Sequence, residues 1–233
     1  MKKIITDSEI KHTNGRGQVA LLLEPYLLHP EDYIEAAGKD FDMVLSHHKR
    51  FVNIYDNWKY YPLGGTFIQE EDRKIWEKKG GVSMFISKKD TMPGHLLRKK
   101  VLQNVGSGID FFGDGVNNHV ENKADGLRDY PFSIVIESCQ ERGYFTEKII
   151  DCFLTGTIPI YWGDPDIGDY FNTSGIFVWE KPVDLAINIM DLLHGWEGYY
   201  RAMEPAMRAN FEIAKEFISY GKQIQYLYPE IFE

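Results

Sequence analysis

Cysteine is scarce: Cys139 and Cys152 are the two in 233 residues. Two are too few for a disulfide framework and fit a reducing compartment. Long hydrophobic runs are missing as well, since no stretch approaches the about 18 apolar residues needed to cross a bilayer. The opening MKKIITDSEIKHTNGRG has no apolar run behind its lysines, so no signal peptide is expected and the expected location is the cytoplasm. In that setting Asn172-Thr173-Ser174 is a sequon by chance. Positive charge is in deficit, with 26 Lys and Arg against 35 Asp and Glu and a net charge of −9. A general nucleic-acid binder is therefore excluded, although a local basic pocket for a phosphate is not. Neither G-x-G-x-x-G nor G-x-x-x-x-G-K-[ST] occurs, so nicotinamide and P-loop sites lack their signatures. Internal repeats and low-complexity segments are also absent.

What is present is core-forming material. Hydrophobic residues make up 43% of the chain, with 14 Tyr, 14 Phe and 5 Trp, enough to exclude disorder. Gln18 to Leu23 is a short apolar run of the kind buried on both sheet faces, and Phe41 to Leu45 is a second strand candidate. Pro30-Glu31-Asp32-Tyr33 has the Pro and acids of a helix start. His47 to Gly65 reads as irregular and ends in the turn signal Tyr61-Pro62-Leu63-Gly64-Gly65. Glu70 to Lys79 is charged enough for an exposed helix or a solvated connection.

From Gly81 onward strands and helices alternate. Strands are expected at 82–86, 109–112, 132–136, 157–162 and 175–178. Helices are expected after Pro93-Gly94, at 145–154, at 183–193 and at 199–220. This rhythm predicts a parallel α/β sheet with helices on both faces. Residues 1–80 would form a first, shorter lobe and residues 81–233 a second, with ligand between them.

The segment PFSIVIESCQERGYFTEKIIDCFLTGTIPIYW, residues 131–162, reads as a βαβ unit. Its polar loop lies at the carboxyl end of the first strand, where open α/β sheets bind ligands and a helix N-terminus offers free N–H groups to an anion. Glu137, Ser138, Tyr144, Glu147 and Lys148 gather there. Lys148 is the unusual one, because a cation in the first turn meets the positive end of the macrodipole at a cost of about 0.3–1 kcal/mol. Either it is a solvated lysine, or an anion such as a diphosphate sits between it and the helix end. Glu147 alone is ordinary capping.

The run Gly143-Tyr144-Phe145-Thr146-Glu147-Lys148-Ile149-Ile150-Asp151, followed by Gly156-Thr157-Ile158-Pro159-Ile160-Tyr161-Trp162-Gly163, resembles the hallmark of the α1,3/1,4-fucosyltransferases (glycosyltransferase family 10-like). Phe132 to Ser138 resembles the family's strand ending in Phe-Glu-Asn, with Ser138 where Asn is usual. Leu96-Leu97-Arg98, Ile109-Asp110-Phe111-Phe112-Gly113, Tyr61-Pro62-Leu63, Tyr170-Phe171-Asn172 and Phe177-Val178 are looser matches in the right order.

The resemblance implies a GT-B-like α/β fold of two Rossmann-type lobes, with a shortened N-terminal lobe and C-terminal helices. It implies an inverting glycosyltransferase that moves fucose from GDP-fucose to a glycan hydroxyl. Arg98 and Lys148 would meet the diphosphate, Glu147 the ribose, and Glu137, Ser138, Tyr144 and Gly113 would complete the nucleotide-sugar site. An acidic base is implied in the first lobe, and Glu24 in Leu22-Leu23-Glu24-Pro25 fits it at the end of a buried strand. Glu31 and Asp32 are the fallback candidates, and a turn-capping role is the alternative for Glu24. No cofactor is required; a divalent metal is compatible with the resemblance but not implied. Asp40-Phe41-Asp42 reads as strand entry, Asp164-Pro165-Asp166 as a turn, and adjacent His47 and His48 as unable to share one ligand face of a strand. Homo-oligomerisation is left open. The alternative functions are a related GT-B enzyme using another GDP-hexose and a non-catalytic sugar-nucleotide or glycan-binding module.

Overall fold

The structure, a computed structural model, describes residues 1–105, 108–180 and 182–233. Short apolar runs build two separate parallel sheets. The first contains β1 (Lys3–Thr6), β2 (Gln18–Leu22), β3 (Met43–Ser46) and β4 (Trp58–Tyr60) in that spatial order. Helices α1 (Pro30–Ala37) and α2 (Lys49–Val52) make crossovers between its strands. Parallel neighbours require such crossovers, which leave the central strands covered on both faces. Val19, Ala20, Leu22, Val44 and Leu45 are accordingly 0% exposed.

The second sheet has five strands, β5 (Val82–Phe85), β6 (Ile109–Phe112), β7 (Phe132–Ile136), β8 (Ile158–Trp162) and β9 (Phe177–Val178). Their spatial order is β6-β5-β7-β8-β9, every pair parallel. The order reverses between β5 and β7, which opens a crevice at their carboxyl ends. Two helices define that crevice: α3 (Pro93–Asn104) joins β5 to β6, and α4 (Glu147–Leu154) joins β7 to β8. From Ile149 to Leu154 α4 is wholly buried, and each large apolar side chain there contributes about 1.5–3 kcal/mol of burial.

The two expected C-terminal helices meet at a kink: α5 (Pro182–Ala214) breaks at Gly195, whose φ of −146° and ψ of 36° are not helical, and its second half ends at Ala214, short of the expected Tyr220. A separate helix, α6 (Tyr220–Leu227), follows and is capped by Ser219. It returns to the first sheet, where Ile224 and Ile231 join Val19, Leu21, Leu45 and Tyr61 in one cluster. Cys139 and Tyr144 of the second lobe complete that cluster, so the lobes share a core. Among the described residues no helix is long and apolar enough to cross a membrane.

Two strands escaped the sequence reading. β1 has two apolar residues and sits at the sheet edge, and three-residue β4 lies in the stretch read as irregular. Of the two readings of Glu70 to Lys79, an exposed helix or a solvated connection, the structure has the connection, with one short turn at Glu70–Asp72.

Candidate active site

β7 ends at Ile136 and delivers Glu137 at the crevice. The Glu137 N–H donates to the Trp162 carbonyl at 2.8 Å, extending the pairing with β8 by one residue. Its carboxylate is 0% exposed and accepts from the Thr146 N–H at 2.9 Å, the Thr146 hydroxyl at 2.9 Å and Lys148 Nζ at 3.0 Å. Lys148 Nζ also donates to Thr146 Oγ1 at 2.7 Å and lies 3.4 Å from a Glu147 oxygen. Burial opposes the Lys148 charge, but Glu137 and then Glu147 more than offset it and hold the ammonium above the ordinary lysine value. Burial likewise opposes the Glu147 charge, yet Lys148 and Lys123 hold that carboxyl down at about 2.

The opposite wall is α3. Its first turn is closed by His95 Nδ1, which accepts the Met92 N–H at 3.2 Å. Gly94 donates its N–H to the Ser138 carbonyl at 2.9 Å. This docking brings Arg98 under the end of β7, where Nε donates to the Ile136 carbonyl at 3.0 Å and Nη2 bonds the same oxygen. Burial lowers Arg98 from its ordinary value while Glu137 and Glu147 support its charge; an arginine there stays protonated.

Between these walls opens a cavity of about 520 Å³. Of the residues singled out in the sequence, Arg98, Gly113, Glu147 and Lys148 line it. Glu137 lies beneath the surface, turned toward Thr146 and Lys148, and Ser138 follows it with its carbonyl used to hold α3. Tyr144 is buried beside the lobe boundary, its ring 5.3 Å from that of His47. Glu24 stands in the other lobe just past β2 and is half-buried, and its carbonyl accepts from the Tyr33 hydroxyl at 3.0 Å. Its charge nevertheless reaches the second lobe. The Tyr144 phenol is raised first by burial, then by Glu137, with Glu24 adding to it. Tyr220 is pushed up to about 12 by burial and Glu147, with Glu24 and Glu137 contributing.

Several cavity residues were not anticipated. Lys123 lines the cavity and pairs with buried Asp151 at 2.7 Å. Asp151 also accepts the Phe67 N–H at 3.0 Å, tying the segment after the first sheet to α4. Ser87, Asp114, His119 and Glu121 line the cavity too. They come from turn-rich polar stretches with no periodic signal, and only their position after β5 and β6 could have marked them.

The other acidic pairs lie elsewhere. Asp40 pairs with Arg16 at 3.2 Å and Asp42 with Lys2 at 2.6 Å on the surface. Asp166 pairs with Arg142 at 2.8 Å. The histidine pair needs correcting: His47 and His48 lie 3.1 Å and 3.9 Å from the same Glu141 oxygen. Strand alternation does not separate them because β3 stops at Ser46 and the chain turns into α2. Among the described residues no three His, Cys, Asp or Glu side chains are arranged to hold a metal ion.

Two parallel α/β sheets, a shared C-terminal helix and a crevice at the strand ends define a GT-B-like fold. Residues 75–175 match the family model described as "Glycosyltransferase family 10 (fucosyltransferase) C-term". Over 87 residues, 36% of this chain and 18% of the relative, the chain is 41% identical to "Alpha-(1,3)-fucosyltransferase FucT" of Helicobacter pylori. Over 176 residues, 73% of this chain and 33% of the relative, it is 25% identical to a "Putative fucosyltransferase-like protein" of Arabidopsis thaliana. The chain thus spans a third or less of the length of the curated relatives it matches. A solved α1,3-fucosyltransferase with GDP aligns over 92% of this chain and 77% of its own, with a TM-score of 0.60 at 18% identity, a likeness of fold. Residues 75–175 are thus similar to the C-terminal part of the glycosyltransferase family 10 enzymes, and the resemblance drawn from residues 131–163 lies inside that match.

Proposed function

We propose that this chain is an inverting glycosyltransferase that moves fucose from GDP-fucose to a glycan hydroxyl. The observation that carries the reading is the convergence of Arg98, Lys148 and the first turn of α4 on one cavity at the carboxyl ends of parallel strands. Two cations and a helix N-terminus make a site for a diphosphate. The sugar is taken from the fucosyltransferase relatives and the nucleotide from the solved α1,3-fucosyltransferase with GDP.

In this reading residues 1–80 are the acceptor and base lobe, and residues 81–233 are the donor lobe. Glu147, ionised at the cavity wall, accepts hydrogen bonds from the ribose hydroxyls, while Gly113 borders the nucleotide. Ser138 and Tyr144 support the walls. Glu24 takes the proton of the acceptor hydroxyl as that oxygen bonds to the anomeric carbon from the face opposite the diphosphate. The anomeric C–O bond breaks and its electron pair leaves with GDP. The growing charge on the leaving oxygens is stabilised by Arg98, Lys148 and the α4 N-terminus, and the protein groups named require no metal. The transition state is oxocarbenium-like, as in glycoside hydrolysis.

A thermal-shift panel of GDP, UDP, CMP and GDP-hexoses tests this. GDP at a hundred times its dissociation constant should stabilise the fold by about 2.7 kcal/mol. A response to UDP and none to GDP would overturn the reading. The residues assigned here serve the nucleotide and not the hexose, so the second reading is a related enzyme using another GDP-hexose. Turnover of each GDP-sugar with and without a glycan acceptor separates the two. GDP binding without any transfer would favour a non-catalytic module.

A further inference from the structure

The carboxylate of Glu137 is fully buried, behind the cavity rather than on it. Its oxygens are taken by the Thr146 N–H, the Thr146 hydroxyl and the Lys148 ammonium. A hydroxyl has one proton, so Thr146 gives its own to Glu137 and accepts from Lys148, closing a three-membered ring of contacts. The rotamer of Glu137 is also confined: a Cβ on Gly163 would stand 2.6 Å from Glu137 Cγ and 2.4 Å from the Tyr161 hydroxyl. A carboxylate in direct contact with a diphosphate would repel it, and this one has neither the exposure nor a free oxygen for the task.

We propose that Glu137 is a positioning residue: with the Thr146 hydroxyl it holds the Lys148 ammonium at the cavity wall, ready for the diphosphate of the donor. The inference rests on the donor-site reading above and replaces the direct nucleotide contact expected for Glu137. An unpartnered lysine in this place would face burial, the positive end of α4 and Arg98, all of which disfavour its charge. The groups facing Lys148 are Glu137 from the end of β7, Glu147 on α4, Arg98 and His95 on α3, Cys139 beyond β7 and Tyr220 on α6. Glu137 is the largest favourable charge among them, ahead of Glu147. Removing it takes away both the aim of the ammonium and its main reason to stay protonated.

GDP binding by calorimetry at pH 7 and pH 9, for the parent and Glu137→Gln, tests this. The ratio of parent to variant affinity cancels the titration of the nucleotide itself. That ratio should rise at least tenfold from pH 7 to pH 9, because Lys148 loses its proton in the variant and keeps it in the parent. Thr146→Val should weaken GDP severalfold at both pH values, since it removes the aim and leaves the charge partner. A ratio that does not change with pH overturns the proposal. In parallel, the ligand-free parent is titrated by NMR of ¹³C-labelled lysine, with the Lys148 signal assigned from Lys148→Arg. Titration of Lys148 above the ordinary lysine value supports the proposal and titration below it overturns it, and this titration alone decides if Glu137→Gln does not fold. Should the parent fail to bind GDP, the donor reading falls, while the lysine titration still judges the pairing.

Discussion

Gly94 lies so close to Glu137 that a Cβ on the glycine would stand 1.8 Å from the Glu137 carbonyl oxygen. The start of α3 and the end of β7 therefore meet backbone to backbone, and this contact sets where Arg98 enters the cavity. Gly94→Ala should force the two apart. Overpacking of this kind costs about 1–3 kcal/mol or more, to be read from the urea midpoint. GDP affinity should fall with it, because Arg98 travels on α3. Parental stability with an unmoved Arg98 would contradict the packing described.

Arg98 and Lys148 should be separable by their ligand-free stability. Loss of either charge should weaken GDP by about 1.5–3 kcal/mol, the usual worth of a charge-assisted bond. Lys148→Ala should also lower the melting temperature, because it leaves Glu137 buried without its cation, a loss that runs to about 3–5 kcal/mol in buried pairs. Among the described residues Arg98 has no such carboxylate at bonding distance and bonds the Ile136 carbonyl instead, so Arg98→Met should be the milder change. Melting curves without ligand, set beside calorimetry with GDP, resolve the two effects.

Glu24→Gln separates transfer from binding. The amide keeps the shape of the side chain but cannot take a proton, and loss of a general base costs about 10²–10⁴-fold in rate. GDP affinity should stay near the parental value, since Glu24 lies outside the lining of the cavity. Full transferase activity in the variant would move the base elsewhere, with Glu31 and the buried Asp32 of α1 next in line.

Acid should loosen the start of α3. Burial, then Arg98, Lys89 and Lys148, hold His95 down at about 4, and its neutral ring accepts the Met92 N–H. The unfolded chain takes up this proton near the ordinary histidine value of about 6.5, where the folded protein does not. Stability from this group is therefore complete above about pH 6.5 and is lost as pH falls toward 4, with a slope of at most about 1.4 kcal/mol per pH unit. His95→Asn, which can still accept the Met92 N–H, should flatten that part of the stability profile. An unchanged slope by urea titration at several pH values would assign the acid sensitivity to other groups.

The sequence by itself determined the elements of the second sheet and the family resemblance. Val82–Phe85, Phe132–Ile136 and Ile158–Trp162 are short apolar runs of the kind that form covered strands, Pro93 marks where α3 begins, and the helix read from Phe145 begins as α4 two residues later. These are local signals, carried by neighbours within a few residues. Tertiary structure decided what those elements do to one another. β1 and β4 exist because β2 and β3 offer them open edges, not because Lys3–Thr6 or Trp58–Tyr60 strongly prefer to be strands. His47 and His48 converge on Glu141, 94 residues from His47, only because the lobes close on each other. Lys148 was legible as an anomaly in a first turn, yet the carboxylate that keeps it there, Glu137, is fixed by the pairing of β7 with β8 and the docking of α3. Burial and charge pairing depend on which surfaces meet, and a one-dimensional pattern records each residue's tendency to be buried but not the partner it is buried against.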